Sequence, residues 1–173
     1  MSTPEFSRVL DVRQCDRRDV VLEATPEECA ALAERFELVR IDSLKATLSL
    51  TRMGDEVHAD GTITARFVQS CAVSAEELPV SLSEPVALRF VPARPGTDAD
   101  EDLEIDSDDP DEIEYPGTSI DLGEAIAQSL ALAIDPFAVG PEAEEARARL
   151  EATRSSPFDV LASLKSKPKG GDA

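Results

Sequence analysis

One histidine, three cysteines and a dense run of carboxylates are the side chains through which this chain could do chemistry. A nucleophile–base–orienter set needs an imidazole beside a hydroxyl or thiol. The single histidine, His58, falls on the outward phase of an alternating segment. Cys15, Cys29 and Cys71 form no C-x-x-C pair, and an odd set of this spacing gives neither a disulfide framework nor a zinc cluster. Asp98, Asp100 and Asp102 alternate as in a calcium loop, but Leu103 stands where the turn glycine is required. The carboxylates cluster without a pocket-forming pattern around them, so an acid–base pair of the glycosidase kind is not indicated. Phosphate-loop, dinucleotide and H-E-x-x-H motifs do not occur. The expectation is a non-enzymatic binding protein with no catalytic residues, no metal and no other cofactor.

The carboxylates then matter as a surface. With 36 acidic and 17 basic side chains the formal charge is −19. That balance opposes unassisted binding to a phosphate backbone, where affinity comes largely from lysine and arginine, and favours a basic protein as partner. Asp98, Asp100, Glu101, Asp102, Glu104, Asp106, Asp108, Asp109, Asp111, Glu112 and Glu114 are the expected partner contacts. Like charges this dense repel, so residues 92–118 are expected as a flexible acidic insert. The competing candidate is a local basic patch for RNA, built from Arg8, Arg13, Arg17, Arg18, Arg40, Lys45 and Arg52, if these share a face. Without tryptophan and with few aromatic residues, base-stacking platforms are not expected.

The elements that must hold this surface are legible in the periodicity. The central one is Ile120–Phe137. Asp121 is placed as an N-cap, Glu124 three positions on completes a capping box, and Leu122, Ile126, Leu130, Ala133 and Ile134 recur at helical spacing beside Leu132. Asp135-Pro136 ends the helix. It is too short and too interrupted to span a bilayer, which takes roughly 20 apolar residues, so it is read as a core helix wrapped on most sides. Upstream, Thr25, Pro26 and Glu28 predict a second capped helix whose face is Cys29, Leu32, Ala33 and Phe36. Glu5–Asp11 is a candidate first strand.

Between the helices the period becomes two. Leu44, Ala46, Leu48 and Leu50 alternate with polar residues; Val57, Ala59, Ile63, Ala65 and Phe67 follow after Gly54-Asp55; Val80, Leu82, Val86, Leu88 and Phe90 form a third set. Gly61 marks a bulge or a close backbone approach, and Pro85 an edge position or a break. The reading is an α+β fold: an antiparallel β-meander covered by a core helix and shorter helices, with a long acidic loop. Pro141–Arg154 is expected as an exposed helix, Ser156–Leu164 as a short one carrying Phe158, Leu161 and Leu164. One domain, residues 1–165, is expected, followed by a disordered tail, 166–173.

Three segments in order, FVQSCAVSAEELPVSLSEPVALRFVP, SIDLGEAIAQSLALAIDPF and SSPFDVLASLK, resemble the YceD family of large ribosomal RNA subunit accumulation proteins. In that family a strand ends in cysteine, an acidic variable loop follows a hairpin, and an I-D-L-x-E helix leads to a proline motif. The resemblance covers most of Glu5–Lys165 and implies a role in ribosome assembly, with a basic ribosomal protein or a pre-ribosomal particle as partner and ribosomal RNA as a further contact. Many members also carry C-x-x-C at the first motif and cysteines after the helix proline, which together look like a metal site. Here Cys71 is followed by Ala72, Val73 and Ser74, so the resemblance does not carry the metal over. The N-terminus, MSTPEFSRVL, has no apolar signal core; a cytoplasmic, membrane-free, reduced protein is expected.

Overall fold

In a computed structural model of the chain, residues 4–93 and 111–153 are described. The helix after Thr25 forms as its caps demand: α1 runs Pro26–Arg35, with Thr25 accepting from the Glu28 N–H and the Glu28 carboxylate accepting from the Thr25 N–H. Cys29, Leu32 and Ala33 are buried and Phe36 packs at the margin. The helix ends with Glu37 in the left-handed region, φ 55°, and the Leu38 N–H reaching back to the Ala33 carbonyl.

The long strands come next: β3 Arg40–Met53, β4 Glu56–Ser70 and β5 Glu77–Pro92, joined antiparallel. They continue a shorter β2, Arg18–Glu23, which pairs antiparallel with β3. The sheet order is β2-β3-β4-β5-β6, where β6, Asp111–Tyr115, runs parallel to β5. The inward residues of the alternation are the core: Leu44, Leu48, Leu50, Val57, Ala59, Phe67, Leu88 and Phe90 are each at most 2% exposed. Gly61 is a close approach and not a bulge. It pairs in register with Leu48, and a Cβ there would overlap the Thr47 carbonyl oxygen. β5 is not broken at Pro85, which lies where the strand has β4 on one side and, among the described residues, no strand on the other.

A second, two-stranded sheet closes the fold. β1, Val9–Asp11, pairs with β7, Ser119–Asp121, which runs straight into α2, Leu122–Ala133. A single 3-10 turn, Val12–Gln14, follows β1. Leu122, Ile126 and Leu130 of α2 are at most 1% exposed, and burying such a side chain stabilises by about 1.5–3 kcal/mol. Gly123 lets α2 sit directly on the N-terminal segment: a Cβ would fall 2.6 Å from the Phe6 carbonyl oxygen. α3, Ala143–Thr153, lies outside, held by buried Ala143.

Three expectations need correcting. Asp121 caps α2 as read, but Glu124 does not turn back to it; its carboxylate pairs with Arg35 of α1, 2.9 Å away. An exposed charge pair across two helices thereby replaces a local bond. α2 is not wrapped on most sides at its end: Leu132 is 82% exposed. The acidic insert is not loop throughout residues 92–118, because Asp111–Tyr115 is a strand and Pro92 still belongs to β5. Backbone pairing with β5 and burial of Tyr115, whose hydroxyl donates to the Asp55 carbonyl, outweigh the local repulsion. The short helix expected at Ser156–Leu164 and the tail 166–173 lie outside the described residues.

Candidate functional site

The expected partner surface divides at Asp111. Asp98, Asp100, Glu101, Asp102, Glu104, Asp106, Asp108 and Asp109 lie outside the described residues. Asp111, Glu112 and Glu114 stand exposed on β6, while Ile113 and Tyr115 alternate inward. Glu112 is opposite Arg89 in the β5–β6 register and accepts from its guanidinium at 2.5 Å; Glu56 approaches the same arginine at 3.9 Å. Asp111 and Glu114 have no ion-pair partner among the described residues. The strand thus presents the end of the acidic run as exposed, partly uncompensated charge.

Several of the basic candidates are held by carboxylates or carbonyls of the domain itself. Arg8 is clamped by both carboxylate oxygens of Glu28, at 2.7 and 2.8 Å, with its guanidinium 4.6 Å above the Phe6 ring. Arg13 is bound to Asp11, Arg40 to Asp42 and Glu77, and Arg52 donates to the Gly54 carbonyl. Arg18 is opposite Leu50 at the start of β2, and Lys45 is opposite Glu23 at its end. At about 3.3 Å per residue these two are some 17 Å apart. Carboxylates of the domain hold Arg8, Arg13 and Arg40; Arg13, Arg18 and Arg52 gather around Asp11 and Cys15; and Lys45 stands at the far end of β2 from Arg18.

Cys71 is the third feature, and here the structure adds what periodicity could not show. The thiol is buried at the end of β4, and its sulfur accepts from the N–H groups of Val73 (3.5 Å), Ser74 (3.4 Å) and Gly140 (3.3 Å). Ala72 N–H bonds the Ala138 carbonyl, Gln69 Nε2 the Asp135 carbonyl, and Glu142 N–H the Glu76 carboxylate. Together they fasten the turn after β4 to the segment after α2. Ser74 occupies the second C-x-x-C position, and its hydroxyl lies between the Cys71 sulfur and the Glu76 carboxylate, 3.1 Å from the latter, with one proton to share between them. One sulfur, with no three His, Cys, Asp or Glu side chains converging among the described residues, does not fit a metal centre. Hydrogen bonds make this junction.

Those bonds favour the thiolate. The Ser74 side chain and N–H, then the N–H groups of Gly140 and Val73, hold Cys71 at about 7, below the ordinary 9.0. Burial pushes Cys15 and Cys29 the other way. One thiol should therefore ionise near pH 7, seen in the ultraviolet absorbance of the thiolate, and Ser74→Ala should raise that midpoint. A midpoint indifferent to Ser74→Ala contradicts the account. The linkage has a definite sign. Between pH 7 and 9 the unfolded chain holds a proton that the folded one has lost, so this group adds stability as pH rises, and the gain disappears as pH falls through 7.

No helix among the described residues is long and apolar enough to cross a membrane. Compared with known proteins, residues 59–165 match the family described as large ribosomal RNA subunit accumulation protein YceD. No curated protein and no solved structure matches the chain. The matched region runs from near the start of β4 through the acidic run, α2 and the Cys71 junction, which is the greater part of the molecule. The chain belongs to the YceD family.

Proposed function

We propose that this protein is a non-enzymatic ribosome-assembly factor that promotes accumulation of large-subunit ribosomal RNA by holding a basic ribosomal protein on its acidic surface. Family membership supports the first half. The observation that carries the second is the disposition of charge: Arg8, Arg13 and Arg40 are each paired with carboxylates of the domain itself, while Asp111 and Glu114 on β6 have no ion-pair partner among the described residues. A surface at −19 overall attracts a cationic chain at long range, and the attraction weakens over a Debye length of about 8 Å at physiological salt.

Capture of the tagged protein's partners from bacterial lysate, with and without RNase, tests the reading. A basic large-subunit protein retained after RNase supports it. Loss of all ribosomal material with RNase overturns it in favour of RNA contact through Arg17, Arg18 and their neighbours. Neutralising the eleven carboxylates between Asp98 and Glu114 as amides should weaken the captured protein's binding at least tenfold at low salt. Added salt should shrink the difference, and the melting curve should stay nearly unchanged. Undiminished binding would refute the electrostatic mechanism.

A further inference from the structure

β6 pairs with β5 only from Leu88 to Pro92, which leaves the edge of β5 from Glu77 to Ala87 without a partner strand among the described residues. Pro79 and Pro85 are an even number of residues apart, so their nitrogens face one side. β4 pairs along the whole of β5, hence that side is the free edge, where a missing donor costs nothing. Ser81 and Ser83, between them, face the same way and keep their N–H groups. Over this edge the inner face of the sheet is left open. A groove of about 430 Å³ runs between β5 and the last turn of α2, with Leu82, Val86 and Ala87 on one wall and Leu132 on the other. Two carboxylates line it, Glu84 and Asp111. Glu84 is opposite Ile63 and so stands on the core-facing side, an unusual place for a charge. Neither carboxylate has an ion-pair partner among the described residues.

We infer that this groove seats an extended segment of a basic protein. Its aliphatic side chains enter between Leu82, Val86 and Leu132, its lysines or arginines meet Glu84 and Asp111, and its backbone pairs with Ser81 and Ser83 along the open edge. The inference rests on the reading above that the partner is a basic protein, and it names where and how that partner is held. Charge selects the occupant. A nucleic acid would bring phosphates to two carboxylates, and a second copy of this chain would bring the same acidic, proline-bearing edge.

The test uses two fluorescein-labelled peptides of equal charge and roughly twelve residues, enough to span the free edge at about 3.3 Å per residue. One alternates lysine with valine and leucine, the other lysine with serine, and both are titrated into the full chain by fluorescence anisotropy. The aliphatic peptide should bind at least tenfold more tightly, and both Leu132→Asp and Leu132→Ser should erase that advantage. Leu132 is 82% exposed, so the variants should melt like the parent. Equal affinity of the two peptides overturns the groove while the acidic-surface reading stands. Binding of neither peptide overturns both. An advantage that survives in both variants also overturns the groove, as does a dimer of the chain that Leu132→Asp dissolves.

Discussion

Gly61→Ala is expected to lower the unfolding free energy by about 3 kcal/mol or more, the range of forced overpacking in a tight interior. A methyl group at Gly61 would overlap the Thr47 carbonyl oxygen and lie 2.9 Å from its carbon and 3.0 Å from Leu48 Cα. All are backbone atoms in the ladder between β3 and β4, so no rotamer change relieves the clash. The two strands must part at the centre of the sheet, where Leu48 and Ala59 are wholly buried. At about 2–4 °C per kcal/mol for a chain of this size, the melting temperature should fall by about 10 °C. Gly54 supplies the control. It has φ 67° but nothing within 4 Å of its absent Cβ, so alanine there costs only about 1–2 kcal/mol of backbone strain. Urea denaturation of both variants decides the matter: a Gly61→Ala midpoint no lower than that of Gly54→Ala would mean that the strands do not approach so closely.

Asp121→Ala should cost a similar amount, about 3 kcal/mol, by a different route. One carboxylate oxygen accepts from the Gly123 and Glu124 N–H groups, capping α2, and also from Arg8 N–H at 2.7 Å. The other oxygen accepts from the Ser7 hydroxyl. Loss of a helix cap alone costs about 1 kcal/mol, and hydrogen bonds to a charged group contribute about 1.5–3 kcal/mol. Truncation removes both and leaves part-buried N–H donors unsatisfied. Asp121→Asn keeps an acceptor in place and should lose about half as much. Hydrogen exchange would separate the effects, because the Arg8 amide should become unprotected in the alanine variant even under conditions where β3 and β4 remain protected. If the Arg8 amide stays protected, Asp121 is a helix cap and nothing more.

Much of this architecture could be read before any coordinates, where local rules and burial agree. β3, β4 and β5 alternate over most of their length, and the N-caps of α1 and α2 are written in Thr25 and Asp121. The misses share a cause: a local signal was weak or was outvoted by something distant. In β2 the sequence RDVVLE puts Val20 and Val21 on opposite faces, and Val21 stays 59% exposed, so no alternation stands out. β6 does alternate, with Ile113 and Tyr115 inward, but five residues at the end of an acidic run read as charge before they read as a strand. β1 and β7 are three residues each and exist only because they meet. Glu124 chose Arg35, 89 residues away in sequence, over its own helix end. The open groove was illegible for the same reason, since its walls come from β5 and α2 on either side of the acidic run. Of the proposed contact residues, the sequence marked the carboxylates by density alone and could not tell that Asp111 faces an apolar groove while Glu112 is spent on Arg89.

The pairing of β1 with β7 carries a consequence for how the molecule comes into being. The bond from Arg8 to Asp121 spans 113 residues. Contacts this distant along the chain are slow to close and form only once both ends exist. On the ribosome, β2 to β5 have what they need as soon as Pro92 emerges, whereas Phe6 and β1 must wait until α2 has been made. β1, the first strand made among the described residues, settles after β2 to β5. Until that moment the nascent protein shows an uncovered sheet, and it becomes whole only when translation delivers the helix that its own beginning was waiting for.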